Sequence, residues 1–316
     1  MMDLAIETNN LTKIYDNIVV VDHLEIVVKK GELVSILGPN GAGKTTLIKI
    51  LTTVLKPDEG RAFINGKDVL KDTETIRSII GTVPQDYVFY KELSAKENLV
   101  FFGSMHSFSK KQLEFEADQI LEKLGLGNRK DKTKNFSGGM KRRLNIAIAF
   151  VMQPDILFLD EPTAGLDPQA KHIVWDYIKE LKEDGKTIVL TTHDMNEAEM
   201  LSDRVLIIDN GKIIAGGTPK TLKENYSDEN ILEVAFVHKE KAHEFKKSIE
   251  ILDFLKQVFI EGENKVNIYF NGGIINFIKI LQEELINDIT ELESISLRQT
   301  TLEDVFLQLT GRRLRE

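Results

Sequence analysis

The sequence predicts an α/β fold built on a parallel sheet, followed by a smaller α+β domain. Two observations support the first part. A glycine-rich segment at residues 38–45 lies between an apolar run at 32–37, typical of a buried strand, and a run with helical spacing of its apolar residues. Further on, apolar strands at 155–160 and 186–192 flank a predicted helix at 169–183. Strands that alternate with helices indicate a parallel sheet covered on both faces.

The glycine-rich segment matches the phosphate-loop pattern of two glycines, then Lys44 and Thr45. Glycines let the backbone curl so that successive N–H groups face phosphate oxygens, and the following helix adds its positive end. Lys44 is predicted to reach the β- and γ-phosphates, and the Thr45 hydroxyl to bind Mg²⁺. A chance match in a glycine turn is the alternative, and the flanking strand and helix argue against it. The predicted nucleotide-binding residues here are Gly38, Asn40, Gly41, Ala42, Gly43, Lys44, Thr45 and Thr46.

The remaining elements of the first part follow in chain order. Short β-like runs precede the loop at 4–8, 18–21, 24–28 and 33–37. After the helix at 46–55, turn residues enclose a strand at 61–64, a helical stretch covers 94–125, and a further helix is predicted at 138–153. The runs 205–209 and 212–215, joined by Asn210-Gly211, predict a closing hairpin.

A polar stretch at residues 223–230 predicts the domain boundary, giving domains at 1–225 and 226–316. The second domain has predicted strands at 231–237, 257–260, 265–270 and 292–297 and helices at 239–255 and 274–285. A last helix is predicted to begin at Thr300, because Thr300 and Glu303 fit a capping box. The basic residues at 312–315 are predicted to form a solvated tail.

Composition excludes several classes of function. The net charge of −9 argues against a general nucleic-acid binder. The absence of cysteine rules out disulfides and thiolate chemistry and is compatible with the cytoplasm. No signal peptide is recognised at the start, and no apolar run approaches the roughly 18 residues that a membrane span needs. A membrane function would therefore require a second chain.

Two carboxylates end the strand predicted at 155–160. Asp160 at its tip suits the Mg²⁺ shell, and Glu161 one residue later is placed to act as general base on a water that attacks the γ-phosphate. Upstream, Ser137, Gly138 and Gly139 precede a basic helix, and its backbone N–H groups predict a second anion site. Alone, Ser-Gly-Gly is equally typical of a plain loop.

Together these motifs resemble those of the ATP-binding subunits of ATP-binding-cassette (ABC) transporters. The resemblance covers about residues 3–220, with the motifs in the family's order and spacing. It implies a mixed sheet core of the P-loop NTPase class, an antiparallel β subdomain and a helical subdomain at about 87–152. The matching motifs are the Walker A loop at 38–45, the signature at 137–139, the Walker B strand at 156–160 followed by Glu161, Gln85 of the glutamine loop, Asp167 of the loop that touches the opposite subunit, the switch histidine His193, and Tyr15 where the family stacks an aromatic ring on adenine.

The resemblance also implies roles for these residues. Glu161, His193 and Gln85 would be catalytic, and Thr45, Gln85 and Asp160 would hold Mg²⁺. The family's usual signature is Leu-Ser-Gly-Gly-Gln, whereas Phe136 and Met140 occupy the ends here. This variant and the closing segment 301–311 resemble the branch that serves drug and polysaccharide exporters, in which the last helix closes an accessory domain.

The function implied is ATP hydrolysis that drives a separate membrane-spanning permease through ATP-dependent pairing of two cassettes, a homodimer being favoured. ATP and Mg²⁺ are the implied cofactors, no nucleic acid is expected, and the location is the cytoplasmic face of the membrane. The segment 87–125 is expected to pass motion to the permease. An importer, a soluble ABC ATPase of DNA repair or translation, and a catalytically inactive regulatory cassette are the alternatives; export is favoured over import.

Overall fold

The structure is a computed structural model that describes residues 3–105, 109–127, 129–226, 230–250, 252–253, 255–270, 291–298 and 300–311. The chain forms two compact units that divide between Pro219 and Lys220. The helix predicted at 274–285 and the basic tail at 312–315 lie outside the described residues. Within the described part of the chain, no helix combines the length and apolar character that a bilayer crossing requires.

A six-stranded sheet forms the centre of the first unit, in the order β11-β10-β4-β9-β8-β7. Five strands are parallel and β11 pairs antiparallel with β10, which confirms the predicted parallel sheet and its closing hairpin. The strands are β4 (Leu33–Leu37), β7 (Ile80–Val83), β8 (Ile156–Asp160), β9 (Thr187–Thr192), β10 (Arg204–Asp209) and β11 (Lys212–Gly217).

The central strands are apolar on both faces because helices or a second sheet cover each face. Val34 and Ile36 of β4 enter one core with Leu47 of helix α1 (Lys44–Leu51). Leu33 of the same strand enters the other core, with helices α5 (Gly138–Phe150) and α6 (Pro168–Glu183). Side chains of a strand alternate between faces, so one short strand joins two cores.

An antiparallel sheet lies over the core that contains α1. Its hub is β1, which pairs with β2, β3 and β5, while β6 extends β5. The strands predicted at 4–8, 18–21 and 61–64 are confirmed, although β1 continues well beyond residue 8. The strand predicted at 24–28 is only partly right, because β2 runs to Leu24 and β3 begins at Val27. The strands are β1 (Leu4–Tyr15), β2 (Ile18–Leu24), β3 (Val27–Lys29), β5 (Glu59–Ile64) and β6 (Lys67–Asp68).

The helical part contains α3 (Ala95–Gly103), α4 (Lys110–Lys123) and α5 around one apolar cluster. Capping boxes on Ser94 and Ser109 fix where α3 and α4 begin, because each serine accepts from the N–H three residues on. The sequence analysis did not predict three short helices: α2 (Thr73–Ile79), which leads into β7, α7 (Met195–Leu201), which follows β9, and α8 (Pro219–Tyr226). Two predicted helices, at 46–55 and 138–153, end earlier, at Leu51 and Phe150.

The second unit contains an antiparallel sheet in the order β13-β14-β12-β15. Helix α9 packs on one face, where Phe245 and Ile249 meet Val234 and Ile268. The helix predicted at 239–255 ends at Ile249, since Leu255 already begins β13. The elements are α8 (Pro219–Tyr226), which contains the division between the units, β12 (Asn230–Phe236), α9 (Lys239–Ile249), β13 (Leu255–Glu261), β14 (Lys265–Phe270), β15 (Leu292–Arg298) and α10 (Leu302–Thr310).

The predicted cap of the last helix is wrong by one residue. Thr301, not Thr300, is the N-cap, and Asp304 completes the capping box instead of Glu303. Asp304 also accepts hydrogen bonds from Tyr269 and Arg298 on the sheet. These tertiary bonds select Asp304 over its acidic neighbour, which the sequence pattern alone does not distinguish.

Candidate functional site

The turn between β4 and α1 brings the glycine-rich loop to the carboxyl end of the central sheet. Gly43 caps α1 with φ of 101°, in the left-handed region that glycine tolerates, and no side chain bonds to the helix start. A Cβ on Gly43 would lie 2.4 Å from the Val20 carbonyl oxygen of β2. The loop backbone is therefore packed closely against a neighbouring strand, and the start of α1 offers its N–H groups to an anion.

Lys44 is buried in this loop, with its side chain 5% exposed. Its ammonium donates to the carbonyl oxygens of Gly38 and Pro39, at 2.6 and 3.0 Å. The Glu161 Oε1 atom lies 3.5 Å from Nζ. Burial lowers the pKa of Lys44, while the carboxylates of Glu161 and Asp160 oppose that change. The loop thus holds a cation within reach of any phosphate that its backbone binds.

Glu161 directs its carboxylate between the Lys44 ammonium and the His193 imidazole. Its Oε1 atom is 3.2 Å from Nδ1 of His193 and 3.5 Å from Lys44. The backbone of Glu161 has φ of 49°, which is unusual for a residue with a side chain. Its N–H donates to the carbonyl and hydroxyl oxygens of Thr191, at 3.0 and 3.2 Å. A carboxylate in this position can accept a proton from a water at the mouth of the loop.

Asp160, one residue earlier, is almost completely buried at the end of β8. The Thr191 hydroxyl donates to its Oδ1 atom at 2.5 Å, across a register in which the two residues are directly paired. Thr191 therefore supports both acidic residues, and the sequence analysis missed it. The signal was a threonine at the carboxyl end of an otherwise apolar strand, which becomes informative only once β9 is known to lie beside β8.

A cavity of about 320 Å³ is lined by most of the predicted phosphate-loop residues together with Gln85 and Glu161, whereas Gly38, Ala42, Asp160 and His193 are not among its described lining residues. Thr45, Gln85 and Asp160 all carry side-chain oxygen atoms, the ligand type that Mg²⁺ prefers, so this set fits the predicted ion. The close-packed glycine and the buried lysine fit a triphosphate. Val20 and Pro39 are the lining residues that the sequence analysis did not name as binding residues; the others are Asn40, Gly41, Gly43, Lys44, Thr45, Thr46, Gln85 and Glu161.

Other predicted site residues lie elsewhere. Tyr15 is 42% exposed at the end of β1, with the Lys13 ammonium 5.4 Å from its ring centroid. Ser137 caps α5 through the Met140 N–H, and Asp167 caps α6 through the Ala170 N–H. Tyr15, Asp167 and the Ser-Gly-Gly segment at 137–139 are not among the described residues that line the cavity. Gly38 contributes its carbonyl to Lys44, and Ala42 is buried beneath the loop.

The two departures from the usual signature have a structural reason. Phe136 is buried in the helical core, and Met140 is half-buried against the same cluster. The Arg129 guanidinium lies 5.6 Å from the centroid of the Phe136 ring. Both apolar side chains therefore anchor the start of α5, and the exposed part of the segment is left to Ser137 and the glycines.

A family model described as ABC transporter matches residues 21–164. Three curated relatives match over nearly the whole chain. The daunorubicin resistance ATP-binding protein of Streptomyces coeruleorubidus is 36% identical over 326 residues, covering 100% of this chain and 99% of the relative. The linearmycin resistance ATP-binding protein of Bacillus subtilis is 36% identical, covering 98% and 100%. The Nod factor export ATP-binding protein I of Burkholderia thailandensis is 37% identical, covering 98% of each.

Solved structures of ATP-binding subunits of ABC transporters align with this chain as well. An ATP-binding subunit of an ABC transporter aligns with a TM-score of 0.65 and 32% identity, covering 70% of this chain and 93% of that one. A dimeric, post-hydrolysis ATP-binding cassette bound to ADP and Pi aligns with a TM-score of 0.63 and 30% identity, covering 67% and 98%.

Proposed function

The chain belongs to the ABC transporter family as an ATP-binding subunit, and on this basis we propose that its ATP hydrolysis drives export through a separate membrane-spanning permease. The observation that carries the chemistry is the Glu161 carboxylate, 3.5 Å from Lys44 and 3.2 Å from His193 at the phosphate loop. A carboxylate, a buried ammonium and an imidazole thus meet at one point, which supports hydrolysis with Glu161 as the proton acceptor.

The proposed reaction begins with ATP held by the loop backbone and the Lys44 ammonium. In the proposed complex, phosphate oxygens accept the hydrogen bonds that the Lys44 ammonium otherwise donates to the carbonyls of Gly38 and Pro39. Glu161 accepts the proton of the attacking water as the bond from the γ-phosphorus to the leaving ADP oxygen breaks, and His193 steadies the carboxylate and the phosphate. Mg²⁺, held by Thr45, Gln85 and Asp160, would neutralise charge on the β- and γ-phosphates.

The second half of each site is proposed to come from another copy of the chain. Ser137, Gly139 and Asp167 lie on exposed or half-exposed helix starts outside the cavity of their own chain, which supports a role toward a neighbour. A solved relative of the cassette is dimeric. Each ATP would then be held between Lys44 of one copy and Ser137 of the other, so that binding closes the pair and hydrolysis opens it. Tyr15 is proposed to stack on the adenine.

Export, location and the second domain are parts of the same proposal. Relatives that match the full chain are named for drug resistance or for Nod factor export, which supports an exporter. The permease would hold the subunit at the cytoplasmic face of the membrane, with the segment 87–125 passing the motion on. Residues 1–225 would form the ATPase domain and residues 226–316 an accessory domain.

The test uses Glu161→Gln as a trap. The variant, purified from its native cells in mild detergent with Mg-ATP, is expected to bring down a multi-spanning membrane protein and a second copy of the subunit. The matched control carries Lys44→Ala in addition, since loss of the buried cation removes ATP binding and with it the ATP-dependent capture. Capture of ribosomes, DNA or soluble partners alone would contradict the transport proposal.

A further inference from the structure

One buried cation outside the nucleotide cavity contacts both catalytic segments of the chain. Arg142 lies on α5, five residues after Ser137, and its side chain is 4% exposed. Its two Nη atoms donate to carbonyl oxygens in two separate segments, Pro84 and Gln85 after β7 and Asp160 and Glu161 at the end of β8. Its Nε atom donates to Pro162 at 3.0 Å.

The hydrogen bonds of Arg142 account for its whole donor capacity. A guanidinium has five N–H groups in a rigid fork, and five carbonyl oxygens accept from this one. The distances to Pro84, Gln85 and Asp160 are 3.0, 2.9 and 2.7 Å. Burial lowers the pKa of Arg142, but the acidic groups of Tyr87, Asp160 and Glu161 oppose this change. A lysine, with a single ammonium, lacks the geometry to reach both segments.

The carbonyls that Arg142 holds flank a strained residue. Glu161 has φ of 49°, and Arg142 bonds its carbonyl and those of the residues on either side. A backbone in this region persists only where its surroundings hold it, and it sets the direction of the attached side chain. The guanidinium therefore fixes the turn from which the Glu161 carboxylate reaches toward Lys44 and His193.

We propose that Arg142 is a positioning residue for hydrolysis: it locks the helix that begins at Ser137 to the backbone turns of Gln85 and Glu161. Displacement of α5 when Ser137 engages a nucleotide then moves both turns together, which ties occupancy of one ATP site to the catalytic geometry of the other. This inference rests on the proposed role of Glu161 as base. It adds a residue that acts through the backbone and is not among the residues that line the nucleotide cavity.

Neighbouring residues on α5 provide matched controls. Arg143, the next residue, donates to the Leu124 carbonyl at 2.7 Å in the helical part and makes no contact with the cavity residues among the bonds of the described chain. Asn145 bonds Pro84, Asp86 and Val88, so it supports the Gln85 segment but not the Glu161 turn. Variants of Arg143, Asn145 and Arg142 thus remove contacts to neither segment, to the Gln85 segment alone, and to both segments, respectively.

The first measurement is amide hydrogen exchange in the full chain, read from peptides that cover residues 83–88 and 159–164. Arg142→Lys and Arg142→Met are expected to speed exchange in both segments, Asn145→Ala in the first alone, and Arg143→Met in neither. Trp175, the single tryptophan, lies buried in α6 and reports through its fluorescence whether each variant is folded. Should Arg142→Met fail to fold, Arg142→Lys, which keeps the charge, still decides.

The second measurement is steady-state hydrolysis. Arg142→Lys is expected to lower kcat by roughly 10- to 100-fold with the Kd for a fluorescent ATP analogue within about twofold, as for a displaced catalytic group. Arg143→Met is expected to keep kcat near the wild-type value. Unchanged exchange in both segments, or unchanged kcat in Arg142→Lys, would overturn the proposal. A wild-type protein without ATPase activity would refute the proposed function instead, and the exchange data would still decide whether Arg142 holds both turns.

Discussion

Both units of this protein contain an arginine beside two acidic residues, buried in the first unit and half-buried in the second, and the two arginines use their donors differently. In the first unit Arg142 donates only to backbone carbonyls among its described bonds, which leaves the carboxylates of Asp160 and Glu161 to Thr191, Lys44 and His193. In the second unit Arg298 donates to the carboxylates themselves, those of Asp304 at 2.5 and 3.0 Å and of Glu233 at 2.5 Å.

The choice of acceptor by each arginine distinguishes the candidate nucleotide site of the first unit from the structural ion pairs of the second. Glu161 beside Arg142 lines a cavity, whereas Asp304 is further bonded by the Tyr269 hydroxyl at 2.7 Å and Glu233 by the Lys265 ammonium at 2.8 Å. Burial alone would raise the pKa of Asp304, but its bonds from Arg298, Thr301 and Tyr269 lower it overall. Buried charge by itself therefore does not mark function; the partner that the arginine selects does.

The largest expected effect tests this contrast directly. Glu161→Gln removes the proposed proton acceptor and should lower kcat by about 10²- to 10⁴-fold while the nucleotide still binds. Glu233→Gln removes an acid of similar type in the second unit and should leave kcat within about twofold, since its described partners are Ser296, Arg298 and Lys265 of its own unit. Phosphate release with both variants measures this. Rapid phosphate release by Glu161→Gln would show that Glu161 is not the base.

The second prediction concerns the stability of the second unit. Asp304→Asn leaves the Arg298 guanidinium short of a charged partner and should lower the free energy of unfolding by about 3 kcal/mol. Circular dichroism follows both units, whereas fluorescence of Trp175 follows the first alone. In urea, the variant is therefore expected to show an early loss of circular dichroism before the tryptophan signal changes.

The same ion pair gives this unit a defined acid sensitivity. Because the pKa of Asp304 is lowered in the folded state, the carboxylate contributes stability above its unfolded pKa of about 3.9 and loses that contribution as pH falls through the lowered folded value. The wild-type second unit should thus weaken below about pH 4. Asp304→Asn should show a smaller pH slope there, and an equal slope would contradict the assignment.

The smallest expected effect sharpens the boundary of the last helix. Thr301→Ala removes the N-cap and should cost about 1 kcal/mol of stability in the second unit. Thr300→Val should be nearly neutral, because the buried Thr300 hydroxyl has no hydrogen-bond partner in the described structure. Urea midpoints read by circular dichroism compare the two. A larger loss from Thr300→Val would restore Thr300 as the cap.

Much of the first unit could be predicted from short-range pattern. The matching family model, relatives and solved structures confirm the family, the fold class and the ATPase activity. These could be predicted because the phosphate loop and the Asp160-Glu161 pair depend on residues adjacent in the chain. The elements that the sequence analysis missed are short and have weak hydrophobic patterns. Helix α2 and strand β7 bring Gln85 to the cavity, yet β7 has only four residues, including Gly81, and forms because β8 lies beside it. The roles of the individual site residues stay predictions.

The sequence by itself determined the loop, the acidic strand end and the order of the motifs, because each depends on residue types at fixed local spacing. Only the tertiary structure decided that Thr191 supports both acids and that Arg142 and Arg143, identical neighbours in the sequence, face different parts of the unit. Successive helix residues point about 100° apart, so one guanidinium reaches the carboxyl ends of β7 and β8 and the next reaches Leu124. Which of the two serves the site depends on what packs against α5, and that is a property of the folded chain.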